Sequence, residues 1–148
     1  MGKMGMVRLV GAVAVSMTFS AVLAVYLERR RKRTRRVPGH KPLRMSKWVI
    51  HNGRVDTQGM TADPKGDIKA QTKECLAKLE AILLETGVPK ETNLLNMTIF
   101  LADLPNDFAP MNEVYDAWVK DIAKPTRLCV QSGLGDGCKI EIRASAAL

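Results

Sequence analysis

The sequence predicts an α+β domain, its elements in the order ββαβαββ, behind a single transmembrane helix. Three features of the body carry this. The pair Asn52-Gly53 separates two short runs, Trp48–His51 and Arg54–Thr57. Apolar residues recur at three- and four-residue steps from Ile68 to Leu83. The last segment alternates Ile140, Ile142 and Ala144 against Lys139, Glu141 and Arg143.

Charge divides the chain in two. Its 148 residues hold 23 Lys+Arg and 15 Asp+Glu, a net +8, with a pI near 9.7. Residues 1–46 carry 11 of the basic residues and one acid, Glu28, a net +10. Residues 47–148 carry 12 Lys+Arg against 14 Asp+Glu, a net −2. The length suits one domain with a core of its own. Overall basicity points to nucleic acid, but the body adds no positive excess and no aromatics interleave the basic block, so no nucleic-acid partner is expected.

In the leader, Leu9–Leu27 runs 19 residues without a charge. About 20 helical residues cross a hydrocarbon core of roughly 30 Å. The block Glu28–Arg36 (ERRRKRTRR) follows at once, whereas Lys3 and Arg8 stand in front. The positive-inside bias then places the body on the cytoplasmic, matrix or stromal side of a membrane, with a mitochondrial or other organellar one among the options. Arg29–Arg36 would meet anionic lipid. The expected divisions are a tail (1–8), the span (9–27), a basic flank and tether (28–43) and the folded domain (44–148). Val37-Pro38-Gly39-His40-Lys41-Pro42 makes the tether helix-breaking. A cleaved secretory or organellar presequence competes with this reading, since Val22 and Ala24 can flank a cleavage site.

The body reads in order. Asn52-Gly53 predicts a tight hairpin, because both central positions of a type I′ turn need positive φ. Asp67 as N-cap opens a helix that ends near Gly87, with Ile68, Cys75, Leu76, Leu79, Ile82 and Leu83 inward. Leu94–Leu101 reads as a strand with Leu95, Met97, Ile99 and Leu101 on one face. Phe108, Met111, Tyr115, Trp118 and Val119 mark a helix from about Asp107 to Lys120, stopped before Pro125. Thr126–Gln131 and Cys138–Ala146 are the last strands, joined by Gly133-Leu134-Gly135-Asp136-Gly137. That cluster lacks a GK[ST] ending and does not open a helix, so a turn is expected rather than a phosphate loop. Cys75, Cys129 and Cys138 form no CxxC pair, and with His40 and His51 they have no metal-ligand spacing, so no metal site is expected.

The residues that can carry chemistry are few. Arg127 can grip a substrate carboxylate bidentately. Glu141 can position and deprotonate a water. They share one face if the last two strands pair as a hairpin; a plain Arg–Glu ion pair is the alternative there. Cys129 lies on the Arg127 face by period two, and a structural thiol is its default role.

The stretches RMSKWVIHNG, AQTKECLAKLEAILLETG, NMTIFLADLPNDFAPMNEVYDAWV, KPTRLCV and KIEIRASAAL resemble the Rid/YjgF family of imine/enamine deaminases, in its divergent branches. The resemblance covers residues 44–148. It implies a chorismate-mutase-like fold, with two helices on one face of the sheet, and a homotrimer with clefts between subunits. By position it implies that Arg127 binds the carboxylate of a small imino or enamino acid and that Glu141 orients the hydrolytic water. Cys129 would line the cleft and the Gly59 backbone would touch the ligand. The chemistry so implied needs no cofactor and yields a 2-keto acid and ammonia. Met45 stands where the family has a tyrosine, Gln58-Gly59-Met60 where it has Ser-Gly-Gln, and Leu128 where it has Ser or Thr. Those departures keep a second reading open, in which the fold serves as an accessory or structural subunit of a membrane complex.

Overall fold

The computed structural model describes residues 19–30, 32–39 and 44–148. Residues 9–18 of the predicted span and 40–43 of the predicted tether lie outside them. Residues 19–30 form a helix, α1, with Phe19, Val22, Leu23, Val25, Tyr26 and Leu27 exposed. Among the described residues no helix is long and apolar enough to cross a membrane.

The folded body begins at Thr34, ten residues before the predicted boundary. Its elements are β1 (Arg35–Pro38), β2 (Ser46–His51), β3 (Arg54–Thr57), α2 (Ile68–Thr86), α3 (Lys90–Asn93), β4 (Leu94–Leu101), α4 (Leu104–Trp118), β5 (Thr126–Gln131) and β6 (Ile140–Ala147). The expected ββαβαββ order holds, with a leading strand and a short α3 added. β1 was expected to be tether. Instead Arg35, Arg36 and Val37 lie antiparallel to Ile50, Val49 and Trp48, and the Arg35 guanidinium sits 5.7 Å from the Trp48 ring centroid. A proline closes an edge strand without cost to the ladder, because its missing N–H faces no partner.

The six strands form one sheet in the order β1-β2-β3-β6-β4-β5, antiparallel except for β4 and β5. The β2–β3 hairpin turns as predicted, with Asn52 at φ 51° and Gly53 at φ 73°. The β5–β6 hairpin does not form. β4 lies between those strands, and the glycine loop passes over its end, where Ser132 N–H donates to Leu101 and Ala102 N–H to Lys139.

α2 is capped as expected. Asp67 accepts from Ala70 N–H at 2.8 Å, and Gly87 ends the helix at φ 75°. α4 starts three residues before its predicted start, because Asp103 caps it and Pro105 suits a first turn that needs no N–H donor. The core lies between the helices and one sheet face. Leu76, Leu79, Ile82 and Leu83 meet Met97, Ile99, Leu101, Ile140 and Ile142, all at most 2% exposed. Leu95 was expected inward and is 45% exposed. The β4–β6 register slips between Leu94 and Asn96, which turns Leu94 in and Leu95 out.

Candidate active site

Arg127 lies in register with Met97 and Cys129 with Ile99, so both face the helices, at the sheet edge. The edge position leaves Arg127 exposed, and α4 holds it. Phe108, Asn112 and Tyr115 recur at steps of four and three on that helix, which puts them on one face. Arg127 Nη1 donates to Asn112 Oδ1 at 2.6 Å. The guanidinium carbon lies 4.6 Å from the Tyr115 ring centroid and 5.9 Å from that of Phe108. Phe108, one of the apolar residues that mark the helix, is 40% exposed and walls one side of the guanidinium. Burial raises the Tyr115 phenol and the Cys129 thiol above their ordinary pKa, with the nearby Arg127 charge opposing in both cases. Cys129 is thus held as a neutral thiol rather than a thiolate.

Glu141 lies in register with Phe100, on the sheet face turned away from the helices. Its side chain rests on Gly59. A Cβ built at position 59 would overlap Glu141 Oε1 and lie 2.7 Å from the carboxyl carbon. The strand segment beside Gly59 is fixed by the mutual bonds of Met60 and Ile142, at 2.7 and 3.0 Å. Thr57 completes the seam, since its hydroxyl accepts from Ala144 N–H at 3.0 Å. Next to Gly59 opens a cavity of about 300 Å³ lined in part by Met45, Lys47, Gln58 and Lys78.

Within one chain the two groups therefore do not share a face, as hairpin pairing would have required. They project from opposite sides of the sheet, with β4 between their strands. Strands spaced about 4.8 Å apart put β5 and β6 roughly 10 Å from each other. The carboxylate and the imine carbon of a 2-imino acid are one bond apart, about 1.5 Å. No such molecule bridges Arg127 and Glu141 of a single chain. The structure does bring Arg127 together with Cys129, and Glu141 together with Gly59. Asn112 and Tyr115 were missed as site residues, although their spacing from Phe108 was visible in the sequence. Among the described residues the three cysteines are free and no group of three or more His, Cys, Asp or Glu is placed to hold a metal.

Comparison with known proteins matches residues 40–148 to the family described as Endoribonuclease L-PSP. The RutC family protein YoaB of Escherichia coli is 42% identical over 106 residues, covering 71% of this chain and 91% of that protein. A YjgF family member from Neisseria meningitidis, NMB1025, superposes with a TM-score of 0.70 at 30% identity, over 79% of this chain and 96% of that one. The crystal structure of E. coli TdcF with bound serine gives 0.67 at 32% identity, over 76% and 94%. With nearly the whole folded body matched by the family, by relatives in sequence and by solved structures in superposition, the chain belongs to the Rid/YjgF (endoribonuclease L-PSP) family.

Proposed function

We propose that this protein hydrolyses small 2-imino and enamino acids to 2-keto acids and ammonia, at sites completed between copies of the chain in a homotrimer. The observation that carries the reading is the preparation of two complementary half-sites on rigid elements. One is Arg127, gripped by α4 at an exposed sheet edge; the other is Glu141, laid over Gly59 on the opposite face. Each half faces outward, so a neighbouring copy can supply the other. The serine bound by TdcF, a small molecule with a carboxylate, agrees with this class of ligand.

The chemistry follows from the groups. The Arg127 fork takes the substrate carboxylate through paired charge-assisted hydrogen bonds. The Glu141 carboxylate accepts a proton from a water as its oxygen attacks the C=N carbon. The resulting tetrahedral aminoalcohol gains a proton on nitrogen and loses ammonia as the carbonyl forms. An enamine enters after tautomerising to the imine. The net change is the addition of one water and the release of one ammonia, with no electron transfer.

Release of 2-keto acid from freshly generated 2-aminoacrylate tests the proposal. Arg127→Ala and Glu141→Gln are each expected to lose activity by about 100-fold or more, the range typical of a positioned acid–base group. Mixed one to one after dissociation and reassembly, they should recover about a quarter of the wild-type rate, because a quarter of the shared sites then pair two intact halves. Inactive wild type, or variants as fast as wild type, would refute the assignment. Failure of the mixture alone would remove the shared site.

The second reading, an accessory module of a membrane complex with a weak or inactive cleft, draws on Met45. It is 60% exposed at the mouth of the cavity beside Gly59 and carries no hydroxyl to orient a ligand. The ribonuclease named in the family description fits less well, since a body of net −2 offers a polyanion little to hold. We further propose that the uncharged run Leu9–Leu27 anchors the protein in a membrane, with Arg29–Arg36 at its anionic surface.

A further inference from the structure

We propose that Asn112 is the positioning residue for Arg127, aiming the guanidinium at the substrate carboxylate. The inference rests on the hydrolase reading above and adds to it a residue outside the Arg127, Glu141, Cys129 and Gly59 set. An arginine on an edge strand has a long flexible stem and three sides open to solvent. It keeps one direction only if neighbours restrict it.

Here the restriction comes from α4. The guanidinium carbon lies over the Tyr115 ring at 4.6 Å and over the Phe108 ring at 5.9 Å, and these contacts limit where the group can sit. A ring face is nearly indifferent to rotation of the planar group above it, so neither ring decides which N–H bonds point outward. Asn112 does. Its Oδ1 takes one Nη1 hydrogen at 2.6 Å, and that single directional bond sets the rotation. Arginine has five donors and no acceptor, so the remaining four stay available to a ligand. The amide is also matched in charge. Asparagine accepts the bond without neutralising the guanidinium, whereas aspartate at the same place would hold it as an ion pair. Among the described residues, Arg127 forms no salt bridge with an acid of its own chain.

The test measures pyruvate binding to the full chain by calorimetry, together with kcat and KM for 2-aminoacrylate. Asn112→Ala is expected to weaken pyruvate binding about tenfold, to raise KM by a similar factor and to change kcat little. Asn112→Asp keeps the volume and the bond to Arg127, so it serves if the alanine variant fails to fold. It should bind pyruvate more weakly still, with thermal stability equal to or above wild type. That opposition of stability and affinity is one a merely structural bond would not produce. If wild type binds pyruvate and Arg127→Ala does not, while both Asn112 variants match wild type, the positioning role is overturned and the hydrolase reading stands. If pyruvate binding by wild type does not depend on Arg127, both fall.

Discussion

Replacing one hydrogen of Gly59 by a methyl group puts a carbon where the Glu141 carboxyl already lies. The backbone there cannot retreat, because Met60 and Ile142 are bonded to each other on the next residue pair. Gly59→Ala is therefore expected to turn the Glu141 side chain away while leaving the sheet intact. Keto-acid release should fall by more than tenfold for a stability loss of about 1 kcal/mol, the size of an ordinary point change. Thermal melts and rate assays on the same preparation check this, and a fully active alanine variant would refute the contact's role. The cysteines show how local surroundings divide residues of one type. Cys75 is fully buried against the Met60 carbonyl, and burial pushes its thiol up to about 12. Cys129 stays partly open beside Arg127.

Elements in this fold are joined by a few polar contacts over the apolar core. Glu80 of α2 is the clearest. Its Oε1 accepts from Lys90 of α3 at 2.6 Å and from the Trp118 indole of α4 at 2.8 Å. The Lys90 hydrogen bond foremost, aided by Trp118, holds the Glu80 carboxyl below its ordinary pKa. A carboxyl depressed on folding stabilises the fold above its unfolded pKa, and the contribution is lost as pH falls through the folded value. Glu80→Gln should thus lower the urea midpoint at pH 7 and narrow the gap to wild type as the pH drops below the usual glutamate range. Half exposure limits the effect to a few tenths of a kcal/mol. A gap that widens on acidification would refute the linkage. The elements themselves were largely legible in the sequence. Asp67, Gly87 and Asn52-Gly53 act through bonds and φ values within a few residues of themselves. The start of α4 and the facing of Leu95 were not legible, the first because Pro105 looks like a breaker and opens the helix instead. The second was hidden because a bulge depends on the partner strand.

At the scale of the whole molecule, the leader carries the charge and the body carries the candidate chemistry. The proposed anchor makes a direct prediction: the protein should stay in the membrane fraction through alkaline carbonate extraction and begin, on N-terminal sequencing, within its first eight residues. A soluble product starting after Ala24 would show a cleaved presequence instead. The sequence by itself determined the composition of the two parts and the local elements of the body, while the family resemblance singled out Arg127 and Glu141. The local elements follow from residue chemistry and from periodicities set by 3.6 residues per helical turn and two per strand pleat. Strand neighbours are not set that way. Tertiary structure decided that β4 enters between β5 and β6, which places Arg127 and Glu141 on opposite faces of the sheet within one chain. It also decided that Asn112 meets Arg127 across an inter-element gap. The cause is packing: the buried Met97, Ile99 and Leu101 of β4 need neighbours on both edges, and hydrophobic burial rewards that central position whatever the order of strands along the chain.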